Sequence, residues 1–329
     1  MANPVSNDVN YNPLLTNIST AFMQGDDTFI APRVFPRVPV ELQSAAYYQY
    51  RKEDWFRSIA DVRAPGAESV GNGWNLSTDT YYAHVYAVHK DIDDQTVANA
   101  ISMFDLKQDA TMWVTKQLLL KAELVWQNAF FKTSVWSKDV AGVASGVAGT
   151  SVTYWDTSTS NPIDDIEYYA LKMAEGTGLK PNKLILSPYV FQKLSNHPTI
   201  LDRIKYTQRG VVTKELMASL FGVDTIEIPY AIYNTVLQGT TDALANYSFI
   251  FGKHALLVHA ASAPSLMTPT AGYSFIWSGY TGNANQNFGN QVSSWYRQDN
   301  KSERVEGEMA MGFKVVGADL GVFFSSVVQ

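Results

Sequence analysis

The side chains that most often carry out chemistry in proteins are few and poorly spaced in this sequence. Five histidines and no cysteine are present, so thiolate metal sites, disulfides and cysteine nucleophiles are excluded. His89 follows His84 by five positions. On a strand, this odd spacing places the two side chains on opposite faces, where they cannot share a metal ion. His254 and His259 have the same spacing, and His197 precedes a proline. We therefore predict packing, capping or interface roles for the histidines.

Two pairs of adjacent carboxylates, Asp93–Asp94 and Asp164–Asp165, are the remaining candidates for acid–base chemistry. Both pairs stand where a helix is predicted to begin, and the helix dipole stabilises negative charge at that end. The phosphate-binding patterns G-x-x-x-x-G-K-[ST] and G-x-G-x-x-G are absent, as is the serine-nucleophile pattern G-x-S-x-G. The sequence predicts a protein that is not an enzyme and has no catalytic residue, cofactor or metal site.

The composition indicates a folded chain with extra apolar surface for partners. Hydrophobic residues make up 46% of the 329 residues and charged residues 17%, against about a quarter charged in an average soluble domain. The net charge of −6 argues against a dedicated nucleic-acid binder. The longest stretch without charged residues, 255–296, contains prolines and glycines and cannot cross a membrane as one helix. No targeting segment is recognisable, so a cytoplasmic chain without membrane contact is expected.

The first third of the chain predicts an extended arm followed by a long hairpin. Residues 1–44 lack a helical or strand period, and prolines alternate with arginines between 30 and 40. This apolar arm needs a surface to cover, either on its own domain or on a neighbouring subunit. Strands are predicted at 47–57 and 78–90, joined by a glycine-rich turn. A two-stranded hairpin is marginally stable alone, so it should lie on something else.

The remaining chain predicts a mixture of helices and strands. Residues 92–132 predict one helix of about 60 Å, or two helices with a break near 102–109. Ser187-Pro188 begins another helix, and Thr213 caps a helix that Gly222 ends. Strands are predicted at 183–187, 223–228, 248–258, 305–315 and 320–328. The fold class is α+β.

This order of elements resembles the major capsid proteins of tailed bacteriophages, which have the Hong Kong 97-type fold that encapsulin compartments also use. Four phrases carry the resemblance in the same order: NKLILSPYVFQKL (182–194), ELMASLFGVDTIEI (215–228), SFIFGKHALLVH (248–259) and ERVEGEMAMGFKVV (303–316). The resemblance implies a subunit with an extended hairpin (the E-loop), a peripheral (P) domain with a long spine helix, and a compact axial (A) domain. The implied ranges are 1–44 for the N-terminal arm, 45–92 for the E-loop, 93–182 for the P-domain with the spine helix, 183–250 for the A-domain, and 251–329 for P-domain strands, of which the last returns to the A-domain.

The resemblance also implies the partners. Copies of the chain would form hexamers and pentamers of an icosahedral shell, assembled in the host cytoplasm, that encloses double-stranded DNA without sequence-specific binding. A separate scaffold protein, a portal and a decoration protein are expected. Some members of the family cross-link a hairpin lysine to a neighbour, but residues 63–74 contain no lysine, so no cross-link is predicted.

The contacts between subunits are predicted from aromatic and charged residues of both signs, a combination typical of protein–protein interfaces. Residues 51–57 would pair with charges of an adjacent subunit in the segment 301–308, with Trp55 as the strongest anchor. The predicted contact residues are Arg33, Phe35, Arg37, Arg51, Lys52, Glu53, Asp54, Trp55, Arg57, Lys301, Glu303 and Arg304.

Three alternatives remain open from the sequence. Within the same fold, the chain could form an encapsulin-like compartment that holds a cargo enzyme. From another class, it could be a cytoplasmic α+β enzyme whose site is assembled from distant residues. A tail or decoration protein of a virion is the third alternative.

Overall fold

The computed structural model describes residues 24–50, 52–99, 105–205, 212–236, 246–265, 268–281, 288 and 290–329. The helices are α1 (Ala31–Val34), α2 (Lys52–Trp55), α3 (Asp94–Asn99), α4 (Leu106–Phe130), α5 (Pro162–Thr177), α6 (Pro188–Ser195), α7 (Pro198–Ile204), α8 (Lys214–Phe221) and α9 (Ser278–Thr281). The strands are β1 (Arg37–Val40), β2 (Ser44–Tyr50), β3 (Leu76–Tyr82), β4 (His84–Asp93), β5 (Lys138–Val143), β6 (Ser151–Thr153), β7 (Lys183–Leu186), β8 (Thr225–Glu227), β9 (Ile232–Asn234), β10 (Tyr247–Phe249), β11 (Ala255–Val258), β12 (Gly272–Trp277), β13 (Gln291–Arg297), β14 (Ser302–Val315) and β15 (Gly321–Ser325). The predicted α+β class is confirmed.

A five-stranded sheet is organised around β14, which pairs antiparallel with β4, β12 and β13, while β1 pairs parallel with β12. One face of β14 carries α4, and the two approach closely because residue 307 is glycine. A Cβ atom at Gly307 would lie 2.3 Å from a methyl carbon of Val114 and 2.9 Å from one of Leu118. The strand predicted at 305–315 is confirmed and begins three residues earlier.

The long helix is shorter than its single-helix prediction. Asp105 accepts hydrogen bonds from the backbone N–H groups of Lys107 and Gln108, so its side chain fixes the start of α4. The preceding helix, α3, is a separate element that ends at Asn99. A single helix over 92–132 is therefore wrong, and the two-helix alternative agrees with the structure. The 25 residues of α4 give a length of about 37 Å.

A six-stranded sheet of order β6-β5-β15-β11-β7-β8 has apolar residues on both faces. One face, with Leu184 and Leu257, packs on α5, α6 and α8. The other face, with Ile185 and Leu256, packs on the C-terminal half of α4. Because both faces are covered, the central strands β7, β11 and β15 are short, nearly continuous apolar runs rather than alternating patterns.

The sheets do not follow the predicted domain ranges. The six-stranded sheet takes strands from both sides of the boundaries at 182 and 250, and β15 lies in it between β5 and β11. The ranges themselves stay a prediction.

The hairpin is formed by β2 and β3, which pair antiparallel from Ser44↔Tyr82 to Tyr50↔Leu76. The prediction of a strand over 47–57 is wrong in its second half, where residues 52–55 form α2. Beyond Tyr50 no strand residue of β3 is left to pair, so the backbone satisfies its hydrogen bonds in a helical turn instead. The strand predicted at 78–90 divides at Ala83, after which β4 joins the five-stranded sheet.

Candidate functional site

The base of the hairpin is held by aromatic packing on β12. Tyr81 is 8% exposed and stacks on Phe275, with ring centroids 4.4 Å apart and an interplanar angle of 12°. Its hydroxyl donates a hydrogen bond of 3.1 Å to the Leu42 carbonyl. Tyr47 approaches the same ring of Phe275 at 6.0 Å. Offset stacking of this kind adds to the energy of burying the rings.

A polar network lies beside this stack. Asp79 on β3 is 3.0 Å from the Lys314 ammonium group of β14 and accepts a hydrogen bond of 3.1 Å from the Tyr47 hydroxyl. Burial, with the charge of Asp79 added, raises the pKa of Tyr47. Burial alone would raise the pKa of Asp79, but hydrogen bonds from Lys314, the Thr80 N–H and Tyr47 outweigh it and lower that pKa. The polar side chains at the base of the hairpin thus find their hydrogen-bond partners within their own chain.

The tip of the hairpin, defined as residues 50–76 without the undescribed Arg51, has the opposite character. Trp55 meets Tyr50 edge-on at 5.9 Å and Trp74 at 6.2 Å. The exposed fractions are 53% for Trp55, 65% for Phe56 and 62% for Trp74. Asp54 accepts a hydrogen bond of 2.8 Å from the Asn75 N–H and so joins the two sides of the tip. The tip presents a group of large apolar side chains to solvent, which is typical of an interaction surface.

The structure places most of the predicted charged residues of this segment on or beside α2. Lys52 forms an ion pair with Asp319, which lies in the turn before β15. Glu53 and Arg57 are exposed, and Asp54 is used within the tip. Arg51 lies outside the described residues.

The predicted contact residues of the arm have different surroundings. Phe35 is 2% exposed, and its ring lies 4.5 Å from that of Phe130 and 5.9 Å from that of Trp126. An inter-subunit contact by Phe35 is therefore wrong, because the ring is buried in the core of its own chain. Arg33 donates to the Asp27 carbonyl and lies 3.5 Å from Glu227. Arg37 begins β1 and is half-buried.

The predicted contact residues of β14 mainly serve the five-stranded sheet. Arg304 binds Asp91 of β4 through two hydrogen bonds of 2.7 and 2.8 Å, and this guanidinium holds the pKa of Asp91 below its usual range. Two N–H groups of Arg304 thus bind a carboxylate of its own chain, and its inter-subunit role stays a prediction. Glu303 forms an ion pair with Lys107 of α4. Lys301 has a positive φ of 46° in the turn before β14.

Phe56 and Trp74 belong to the tip but were not among the predicted contact residues. Trp74 carries a signal that could have identified it, because a large aromatic residue directly after glycine in a polar turn has no strand to pack against. Phe56 stands between Trp55 and Arg57, inside the segment that was singled out. The structure brings the Trp74 ring to 6.2 Å from that of Trp55, and Phe56, the residue after Trp55, is exposed beside it in the sequence.

Within the described ranges, no group of three or more histidine, aspartate or glutamate side chains is placed to hold a metal ion. Across the same residues, no helix has the length and hydropathy needed to cross a membrane.

The two sheets, the long helix between them and the projecting hairpin define a protein of the Hong Kong 97-type fold. Residues 145–311 match the family model described as phage major capsid protein E. Because the match spans slightly more than half of the chain, the protein belongs to this family and is a major capsid protein of tailed phages, located in the virion capsid.

Relatives and solved structures agree with this assignment. The chain is 23% identical over 321 residues to the major capsid protein of Burkholderia phage BcepMu, and the match covers 96% of each chain. It is similar in structure to a phage-related protein of Bordetella bronchiseptica RB50, with a TM-score of 0.68 and 19% identity over 92% of this chain and 94% of that one. The capsid of cyanophage P-SCSP1u gives a TM-score of 0.61 and 12% identity over 97% and 93%.

Proposed function

We propose that the chain forms hexamers and pentamers of an icosahedral shell in which the hairpin tip of each subunit lies on an adjacent subunit. The observation that carries this proposal is the exposure of Trp55, Phe56 and Trp74 at the end of a projecting hairpin. A shell subunit contacts copies of itself on several sides, and the tip holds three large aromatic side chains that are each more than half exposed.

The chemistry of the tip fits an interface anchor. Buried tryptophans at the centre of an interface commonly contribute about 2 kcal/mol or more each to association. Glu53 and Arg57 flank the aromatic group with opposite charges, which orient a partner rather than supply affinity. A neighbouring subunit would also support the two-stranded hairpin, which is marginal by itself. The pairing of Lys52, Glu53 and Arg57 with the segment 301–308 of that neighbour remains part of the proposal, as does an inter-subunit role for Arg33, Arg37, Lys301 and Glu303.

The domain layout follows the two sheets in this proposal. The P-domain would consist of the five-stranded sheet with α3 and α4, and the A-domain of the six-stranded sheet with α5 to α8. β15 would then be the strand that returns to the A-domain. β2, β3 and the tip would be the E-loop, preceded by the N-terminal arm.

The remaining partners follow from the proposed shell. A separate scaffold protein, a portal and a decoration protein would act on the assembled subunits. The genome would be enclosed without sequence-specific binding, which suits a chain with a net charge of −6. An encapsulin-like compartment is less supported, because the matching family consists of phage major capsid proteins and the similar protein of Burkholderia phage BcepMu is a major capsid protein.

Negative-stain electron microscopy of the purified protein, alone and co-expressed with its neighbouring virion genes, tests the proposal. Closed icosahedral shells, or hexameric and pentameric rings, are expected from the wild-type chain. The double variant Trp55→Ser, Trp74→Ser should remain folded but fail to form them, whereas the matched control Trp55→Phe, Trp74→Phe should assemble. A wild-type chain that stays monomeric under every condition would contradict the proposal, as would normal shells from the double serine variant.

A further inference from the structure

Residues 29–35 of the arm pass through the interior of the subunit. Their side chains other than those of Pro32 and Arg33 are at most 2% exposed. They share one apolar cluster with Trp126 of α4 and with Ile185 and Leu256 of the six-stranded sheet. The segment therefore lies where the long helix meets the six-stranded sheet, and α1 is its only helical turn.

One end of α1 is bound by a buried carboxylate of the long helix. Glu123 is 0% exposed. Its carboxylate accepts hydrogen bonds from the Ile30 N–H, at 3.0 and 3.1 Å to the two oxygens, and from the Ala31 N–H at 2.9 Å. Burial raises the pKa of Glu123 to about 7, although the two N–H groups and Arg33 act to lower it. A carboxylate this deeply buried is costly unless its oxygens are hydrogen-bonded.

The other end of α1 is bound by a lysine of the six-stranded sheet. The ammonium group of Lys183, on β7, donates hydrogen bonds to the carbonyl oxygens of Arg33 at 2.8 Å and Val34 at 2.7 Å. Burial lowers the pKa of Lys183, and the nearby charge of Glu227 offsets part of that effect. Glu227 also lies 3.5 Å from the Arg33 guanidinium.

We propose that α1 is the connection through which the arm fixes the long helix to the six-stranded sheet, and that Glu123 and Lys183 are the positioning residues of this connection. Each side chain binds backbone groups at the end of the turn that suits its charge, the carboxylate at the N–H end and the ammonium at the carbonyl end. If α1 were displaced, the buried Glu123 carboxylate and the half-buried Lys183 ammonium group, which belong to different elements, would lose these partners together. A shift of one residue along the chain would also break both sets of bonds.

The contacts on either side show what this connection controls. Upstream, the Gln24 side chain forms two hydrogen bonds with the backbone of Ile232 in β9, of 2.7 and 3.0 Å. Downstream, β1 pairs parallel with β12 from Arg37↔Ser274. The arm thus runs from the β9–β10 pair to the five-stranded sheet, and α1 lies between these attachments. Fixing α1 sets the path of the arm and links α4 to both ends of that path.

Hydrogen exchange measured by mass spectrometry on the purified full-length protein tests this proposal. Glu123→Ala and Lys183→Met should each speed exchange in residues 29–36 by about tenfold or more, because each loses one set of bonds to the turn. Exchange in β11 should not change. Glu123→Gln should stay close to wild type, because its amide oxygen can still accept from Ile30 and Ala31. Trypsin should cleave after Arg33 faster in the first two variants than in the wild type.

Exposed residues of the same types provide matched controls. Glu167→Ala on α5 and Lys180→Met before β7 remove a carboxylate and an ammonium group at the surface, so neither should change exchange in 29–36. Unchanged exchange in both Glu123→Ala and Lys183→Met would overturn the proposal. An equal rise in β11 would also overturn it, because the effect would then be global. If the variants do not fold, the wild type decides: rapid exchange of the Ile30 and Ala31 amides would contradict the proposal, and slow exchange would support it.

Discussion

The base and the tip of the hairpin use the same kinds of side chain in opposite ways. At the base, Tyr81 is 8% exposed and stacks on Phe275 of its own subunit. At the tip, Trp55 and Trp74 pack only loosely on each other, with ring centroids 6.2 Å apart, and both are more than half exposed. One set of aromatic rings completes the subunit, and the other leaves apolar area available to a neighbour.

Residue type alone does not decide between core and interface. What differs is the distance from the sheet: Tyr47, Asp79 and Tyr81 of the hairpin strands contact Phe275 of β12 or Lys314 of β14. Beyond Tyr50, Trp55, Phe56 and Trp74 stay more than half exposed in the subunit, so these apolar side chains need another molecule to bury them. Four predictions test this difference, two for each end of the hairpin.

The largest effect is expected at the base, from Tyr81→Ala. Removing the ring takes away its stack on Phe275 and leaves a cavity, which should lower the free energy of unfolding by about 3 kcal/mol. Tyr81→Phe keeps the stack and loses only the hydrogen bond to Leu42, so it should cost about 1 kcal/mol. Urea unfolding of the unassembled subunit measures both, and equal losses from the two variants would contradict the stacking argument.

At the tip, Trp55→Ala should weaken association and leave the fold intact. We expect a loss of about 2 kcal/mol per inter-subunit contact, roughly a 30-fold fall in the association constant. The free energy of unfolding should change by less than about 0.5 kcal/mol, because the ring is exposed in the subunit. Light scattering of assembly against protein concentration, with urea unfolding as its control, checks both numbers. A Trp55→Ala subunit that is clearly less stable in urea but assembles normally would contradict this prediction.

A smaller effect with a defined pH dependence is expected from Lys314→Met at the base. The ion pair with Asp79 is half-exposed, so it should contribute at most about 1 kcal/mol. The pKa of Asp79 is lowered in the folded state, so its contribution is present above the ordinary carboxylate pKa and is lost as the pH falls through the lowered value. The stability difference between wild type and variant should therefore be largest near neutral pH and disappear in acid. A difference that grew on acidification would contradict this account.

The smallest effect is expected from the charges that flank the tip. Glu53→Gln with Arg57→Gln should change assembly by about 0.5 kcal/mol or less, since exposed charges are screened. The double variant should also show a weaker dependence of the assembly rate on salt concentration. The same double substitution should leave urea unfolding unchanged. A complete block of assembly would show that these charges, and not the aromatic rings, anchor the tip.

Features that are determined by the local sequence could be predicted. Ser187 and Thr213 cap α6 and α8 as expected, with their hydroxyls accepting from the N–H groups of Val190 and Leu216. Gly222 ends α8 with a left-handed φ of 65°. Capping depends on a side chain and the backbone a few residues away, so the residue type is sufficient to predict it.

Features that depend on distant partners could not be predicted. The strand pattern of 47–57 does not reveal where β3 stops pairing. Gly321 is another example, because a Cβ there would lie 2.1 Å from the ring of Trp136. For Phe35, an apolar residue in a proline-rich arm fits an external contact as well as a core position. Glu123 lies by helical spacing on the same face as Leu119 and Trp126, but the pattern does not reveal that the backbone of the arm binds its carboxylate.

The most direct test of the central claim is hydroxyl-radical footprinting of the subunit before and after assembly. It needs no substitution and reports the solvent exposure of each aromatic side chain. We expect oxidation of Trp55, Phe56 and Trp74 to fall sharply in assembled shells. Tyr81 and Phe275 should be equally protected in the free subunit and in the shell. Tip residues that stay as reactive in the shell as in the free subunit would contradict the account.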